Sequence, residues 1–104
     1  MALAVAVYDA RQAADLSIQE MRRRTGFAKH VYERLENNER TMSVEQLDDI
    51  ATALDIEAEQ LLSSARKLAN LGDHELQRRL ADRPGRRDRA ARAADAMADF
   101  LGME

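Results

Sequence analysis

Short apolar segments with helical spacing follow one another through the first 62 residues, and three of them have their own start or stop signal. Ser17 precedes Glu20 by three positions and Ser43 precedes Gln46 by three, which is the spacing of a capping box at a helix start. Gly26 is typical of the position just past a helix end. The pattern predicts five helices: 3–14, one from Ser17 to near Gly26, about 28–37, one that opens at Ser43, and one that begins between 56 and 62.

The apolar residues of the chain are those of helices and not those of sheets. The sequence has 19 Ala and 12 Leu but only 7 Val and Ile taken together. Ala and Leu are strong helix formers, whereas sheets favour β-branched side chains. We therefore predict an all-α fold, and 104 residues suffice for one small core.

The pattern changes after residue 62. Helical periodicity continues to about residue 82 with a break at Gly72-Asp73, and Arg83-Pro84-Gly85 is the clearest break in the chain. An Ala-rich stripe predicts a last helix over about 87–101. We divide the chain into a compact domain over 1–62 and a helical extension over 63–104, which we expect to serve in dimerisation or in contacts with DNA or a protein partner.

Several classes of protein are disfavoured. The sequence has no Cys, and no metal-binding cluster, nucleophile constellation or phosphate-binding loop is evident. The apolar start is short and lacks a basic flank, and no run reaches the 18 or so apolar residues of a membrane span. We expect a cytoplasmic protein, associated with the nucleoid when on DNA, that is not an enzyme and needs no cofactor or metal.

Gly26 lies between the second and third predicted helices, within a hydrophobic frame. Met21, Phe27, Tyr32 and Leu35 are the predicted inward positions. Such a frame holds two helices at a steep angle and leaves the outer face of the second free to enter the major groove of DNA. That outer face carries four polar side chains: Lys29, His30, Glu33 and Arg34.

Residues 7–62 resemble the helix-turn-helix domain of the Xre and lambda-repressor-like family. The motif residues are Ala10-Arg11, Leu16-Ser17, Met21, Thr25-Gly26-Phe27, Tyr32, Leu35-Glu36-Asn37-Asn38, Leu47, Ile50-Ala51, Ala53-Leu54-Asp55-Ile56 and Leu61-Leu62. The resemblance runs without gaps through all five helices, which is far more specific than a single helix-turn-helix match. It implies a five-helix DNA-binding domain, and a phage immunity repressor or a stand-alone bacterial regulator would fit.

The resemblance also implies roles for individual residues. It predicts an ion pair between Arg11 and Glu36 that holds the first helix against the end of the recognition helix. The residues that it places at DNA bases are Lys29, His30, Glu33 and Arg34. The predicted contacts to the DNA backbone come from Ser17, Arg11, Arg23, Asn37, Asn38 and Arg40.

Three residues depart from the family pattern. Ile18 replaces a Gln that contacts phosphate in family members. Arg22 replaces a small Ala and must extend outward. Ala28 replaces the usual Ser or Thr cap of the recognition helix, which should cost about 1 kcal/mol of helix stability. These departures bear on the docking pose more than on the fold.

Positive charge is concentrated in two segments of an acidic chain. The formal charge is −3, yet residues 22–40 contain six basic and three acidic residues, and residues 78–92 contain seven Arg and two Asp. A basic segment beside a helix-turn-helix can contact flanking phosphates. The candidates for such accessory contacts are Arg83, Arg86, Arg87 and Arg89.

The sequence thus predicts a transcriptional regulator that represses by occupying a site on double-stranded DNA. We expect a homodimer, at least on DNA, because one recognition helix reads few bases. Two alternatives stay open. An antitoxin-type protein would bind a toxin through residues 63–104, and a protein-interaction module would have kept the fold but lost DNA binding, as Ile18, Arg22 and Ala28 would allow.

Overall fold

The computed structural model describes residues 1–84, and all of their regular secondary structure is helical, which confirms the all-α prediction. The helices are α1 (Ala2–Ala13), α2 (Ile18–Thr25), α3 (Lys29–Glu36), α4 (Val44–Ala53), α5 (Ala58–Ala69) and α6 (Asp73–Ala81). The predicted last helix over 87–101 lies outside the described residues, as do Arg86, Arg87 and Arg89.

Local capping chemistry explains where the helices begin and end. The Ser17 hydroxyl accepts a hydrogen bond from the Glu20 amide at 3.0 Å. At α4 the box is complete, because Ser43 accepts from the Gln46 amide and Gln46 accepts from the Ser43 amide, each at 3.0 Å. Asn38 turns the chain after α3 with a φ of 61°, a left-handed conformation that Asn tolerates. These start and stop signals were all predicted from the sequence.

The main core lies where α1 to α5 meet. Tyr32, Met21, Leu35 and Ile50 are the largest side chains in it, and none is more than 1% exposed. Val7 enters this core from α1. Phe27, predicted to point inward, packs at its edge as a half-buried residue. The core therefore fixes α2 and α3 relative to α4 and α5.

A second apolar cluster lies on another side of α1. Val5 packs there with Leu76 and Leu80 of α6, and all three are buried. Because α1 contributes to both clusters, residues 4 to 7 are buried without interruption. The boundary predicted after residue 62 lies inside α5, which continues to Ala69, and α6 packs back onto the first helix.

Two apolar positions of the predicted helices are exposed in the structure. Ala14 is exposed because α1 ends at Ala13 and the chain turns at Asp15, which has a φ of 56°. Leu62 is 45% exposed because its neighbour Leu61 occupies the inward position of α5. Within residues 1–84, no helix is long and apolar enough to cross a membrane, and no group of acidic or His side chains could hold a metal ion.

Candidate nucleic-acid interface

Helices α2 and α3 are joined by a three-residue turn, Gly26 to Ala28. Gly26 has a φ of 78°, and its amide donates to the carbonyl of Arg22 at 2.8 Å. No atom lies within 4 Å of the position that a Cβ would take, so the left-handed backbone and not crowding favours glycine here. The Thr25 hydroxyl donates to the Met21 carbonyl at 2.8 Å and accepts from the Phe27 amide at 3.3 Å. The turn is therefore held to the end of α2 by hydrogen bonds.

The outer face of α3 presents the four side chains predicted to contact bases. Lys29, His30 and Arg34 are exposed, and Glu33 is half-buried. Within the described part of the chain, none of these four side chains has a hydrogen bond or an ion pair. Their donors and acceptors are thus available to a ligand, while Tyr32 and Leu35 on the opposite face anchor the helix in the core.

A buried ion pair holds the carboxyl end of α3 to α1. Arg11 donates from Nε to both oxygens of the Glu36 carboxylate, at 3.1 and 3.0 Å, and from Nη2 to Oε1 at 2.7 Å. The two side chains are 8% and 4% exposed. The Tyr32 hydroxyl donates to Oε2 of the same carboxylate at 2.6 Å. The structure thus brings together the two residues that the resemblance pairs, and adds Tyr32 as a third member.

The surroundings of Arg11 and Tyr32 shift the pKa of each. Burial alone would lower the pKa of Arg11, but the hydrogen bonds and charge of Glu36 outweigh it and raise the pKa above its usual value. Burial, followed by the negative charge of Glu36, raises the pKa of Tyr32. Arg11 is therefore a cation and Tyr32 a neutral hydrogen-bond donor at any physiological pH.

The hydrogen bonds of Arg11 bear on one of its two predicted roles. Its Nε and Nη2 are bonded to Glu36, and its Nη1 donates to the Leu16 carbonyl at 2.8 Å. All three guanidinium nitrogens thus have a partner within the domain. In the structure, Arg11 is a member of the ion pair, and the backbone contact that the resemblance also implies for it stays a prediction.

The other predicted backbone contacts have different surroundings. Ser17 is exposed but its hydroxyl caps α2, and Arg23 is exposed while its Nε donates to Glu20 at 3.0 Å. Asn38 and Arg40 are exposed in the loop after α3. Asn37 is half-buried, ends α3 and accepts a hydrogen bond from Arg83. Ser17, Arg23, Asn38 and Arg40 are thus the members of this set that are accessible at the surface.

Arg83 is buried, although the sequence predicts that it contacts DNA phosphates at the surface. It is 7% exposed, and its Nη1 donates to the carbonyl of Glu36 at 2.6 Å. Its guanidinium also lies over the ring of Tyr8, 4.1 Å from the centroid. The accessory phosphate contact predicted for Arg83 is at odds with this burial. The sequence gives no signal that Arg83 is buried, because Arg83-Pro84-Gly85 is a typical break between helices and is followed by further charged residues.

The three departures from the family pattern have visible consequences. Ala28 forms no side-chain cap, so the amino end of α3 lacks that hydrogen bond, as predicted. Ile18 packs at the edge of the main core. Arg22 is half-buried, and its Nε has no hydrogen-bond partner within residues 1–84. Arg22 therefore occupies the position of the usual small Ala with part of its guanidinium buried. It extends outward less completely than predicted.

Together, a fixed turn, an anchored α3 and an exposed polar face define a DNA-binding helix-turn-helix protein. The family model for the Cro/C1-type HTH DNA-binding domain matches residues 10–64, more than half of the chain, and the chain belongs to this family. The predicted resemblance to Xre and lambda-repressor-like domains is thereby confirmed, and the chain is a DNA-binding regulator. Comparisons with curated proteins and with solved structures gave no match.

Proposed function

We propose that this protein represses transcription by binding a specific operator with α3 in the major groove. The observation that carries the proposal is the face formed by Lys29, His30, Glu33 and Arg34, whose side chains have no partner within residues 1–84. Because the opposite face of α3 is buried, these side chains meet DNA on a fixed support. A regulator bound in this way acts inside the cell and excludes other proteins from the same stretch of DNA.

The four side chains supply the chemistry that base reading requires. Arg34 and Lys29 can donate to the N7 and O6 acceptors of guanine, and Glu33 can accept from the amino group of cytosine. Each good bidentate contact contributes about 1–3 kcal/mol of discrimination against the wrong base. Arg23, Asn38 and Arg40 border this face in sequence and are exposed, so they can bind phosphates and set the register.

We further propose that two copies bind together on an inverted repeat. A single α3 of eight residues reads few base pairs, and a symmetric pair doubles the site. The formal charge of −3 favours this mode, because an acidic protein gains little from non-specific attraction to DNA and depends on specific contacts.

The test is selection of bound duplexes from a random library at near-physiological salt. The wild-type chain is compared with a triple variant in which Lys29, His30 and Arg34 become Ala. A matched control variant changes Lys67, His74 and Arg66 to Ala, since these are the same residue types and are exposed on α5 and α6. Both variants lose the same charge.

We expect the wild type and the control to enrich one inverted repeat and the α3 variant to enrich nothing. A single half-site would retain DNA reading by α3 but contradict the symmetric pair. Equal enrichment by all three proteins would contradict the role of α3, and no enrichment by the wild type would contradict operator binding. A reporter gene downstream of the selected site then tests repression, because an activator would raise its expression.

A further inference from the structure

Arg83 connects α1, α3 and the end of α6 through a single buried side chain. Its Nη1 donates to the Glu36 carbonyl at 2.6 Å and to Oδ1 of Asn37 at 3.3 Å, and its Nη2 donates to the Ala4 carbonyl at 3.4 Å. The partners lie 46 to 79 residues away in sequence. The contact is therefore a tertiary one between the segment after α6 and the end of the recognition helix.

The position of Arg83 suits the chemistry of a helix end. The last carbonyls of a helix lack intrahelical partners, and a cation there is favoured by the helix dipole. Glu36 is the last residue of α3, and its carbonyl is one of these acceptors. The side chain of the same residue is held by Arg11, so two arginines fix one residue. Both guanidinium groups lie over the Tyr8 ring, at 5.3 and 4.1 Å from its centroid.

The carboxyl end is also where α3 is held most firmly by polar contacts. At the amino end, Ala28 provides no side-chain cap. Arg34, the last of the proposed base-reading residues, is two positions before Glu36. A shift of the Glu36 carbonyl therefore moves the Arg34 backbone with it. Recognition contacts depend on geometry at the level of about 1 Å, so a small displacement matters.

We propose that Arg83 is a positioning residue for DNA reading, which makes the segment beyond the family-matched domain a determinant of affinity. Arg83 acts through the carboxyl end of α3 and does not touch DNA itself. Residues 73–83 then influence the operator contact although they lie outside residues 10–64, the part that matches the family model. This inference rests on the proposed function, because it assigns Arg83 a role in the contact that α3 makes.

The experiment measures binding of Arg83→Met to the duplex selected by the wild type and to a scrambled duplex of equal length. Met retains most of the apolar stem and removes the guanidinium. Arg78→Met is the matched control, since Arg78 is on α6, loses the same charge, and has a 57% exposed side chain bonded to Glu75 and Asp82. Thermal melting first establishes a temperature at which every variant is folded.

We expect Arg83→Met to weaken binding to the selected duplex about tenfold and to change binding to the scrambled duplex less than about twofold. Arg78→Met should change both by less than about twofold. An equal loss on the two duplexes, or an equal loss in the two variants, would show a plain charge effect and overturn the proposal. Wild-type affinity in folded Arg83→Met would overturn it as well.

Two further variants separate positioning from stability and charge. Arg83→Lys keeps the charge but not the planar fork, so we expect a loss of about threefold or more on the selected duplex. Full affinity in this variant would contradict the geometric role. Tyr8→Leu removes the ring beneath the Arg83 guanidinium and leaves the hydrogen-bond acceptors of Arg83 in place. This variant replaces Arg83→Met in the binding experiment if Arg83→Met does not fold. We expect it to lower the selected-to-scrambled affinity ratio, and an unchanged ratio would contradict the proposal.

Amide hydrogen exchange of the free protein distinguishes this inference from the proposed function. Arg83→Met should speed exchange at the last turn of α3 and at Asn37 while the core amides of α4 stay protected. Unchanged exchange at the α3 end would overturn the Arg83 contact whatever the DNA result. A wild type that selects no duplex would instead contradict the proposed function, and the role of Arg83 in DNA reading with it.

Discussion

Glu36→Gln tests how far the buried carboxylate supports the domain. Gln has nearly the same shape, so the substitution removes the negative charge and leaves the packing in place. Glu36 accepts from two donor nitrogens of Arg11 and from the Tyr32 hydroxyl, and its side chain is 4% exposed. In the variant, the Arg11 guanidinium stays buried with no counter-charge, and the new amide group has donors where the carboxylate had acceptors.

The expected cost follows from this geometry. Breaking a buried ion pair on one side destabilises a protein by about 3–5 kcal/mol, because the remaining charge is left without compensation. The carbonyl of Gln can still accept from one partner, so we place Glu36→Gln at about 3 kcal/mol, the lower end of that range. For a domain of this size that corresponds to a fall in melting temperature of roughly 12 °C or more.

Urea unfolding followed by circular dichroism measures the free energy of unfolding of each protein. Asp49→Asn is the control, because it also removes one carboxylate but at an exposed position within α4, and it should change stability by less than about 0.5 kcal/mol. A cost below about 1 kcal/mol for Glu36→Gln would refute the reasoning, since it would mean that Arg11 is solvated in the folded state.

Three further changes test other parts of the structure. Ala28→Ser should raise the free energy of unfolding by about 1 kcal/mol, because the residue already has the extended N-cap backbone, and an unchanged urea midpoint would contradict this. Hydrogen bonds from Arg23 and Arg24 lower the pKa of Glu20 from 4.5 to about 2, so the folded state binds this proton less tightly than the unfolded state. The stabilisation that Glu20 gives the folded state is then full above pH 4.5 and is lost as the pH falls to about 2. An NMR titration midpoint for Glu20 near 4.5 would contradict these contacts. Leu76→Ala should lower the free energy of unfolding by about 2–5 kcal/mol. The unfolding transitions followed by tyrosine fluorescence and by circular dichroism should move together, whereas a transition that moves in circular dichroism alone would show that α6 unfolds separately.

The sequence predicted those parts of the fold that depend on neighbouring residues. Ser43 with Gln46, Ser17 and Gly26 specify helix ends by chemistry that acts over three or four positions. The recognition face was predictable for a related reason, because a buried Tyr32 and Leu35 on α3 leave Lys29 and the other polar positions on the opposite side.

The contacts of the second cluster could not be predicted in this way. Val5 lies more than 70 positions before Leu76 and Leu80, and no local pattern indicates that two sides of α1 are covered. The same holds for Arg83, whose position in a charged stretch beside Pro84 is typical of an exposed linker. A charged side chain is buried only where distant acceptors meet it, as the Glu36 and Ala4 carbonyls do here.

The distribution of ion pairs also changes how the basic segment 22–40 should be interpreted. Counted by sequence it has six basic and three acidic residues, but the charge of Glu36 is neutralised by Arg11, which lies outside the segment. Arg23 and Arg24 are in turn paired with Glu20, also outside it. The surface cations without such a partner within residues 1–84 therefore include Lys29 and Arg34 on α3 itself. Two of the three arginines of α2 thus share one carboxylate, whereas the cations of α3 have no such partner within residues 1–84, so we expect the affinity for DNA to depend on the fit of α3 to its bases.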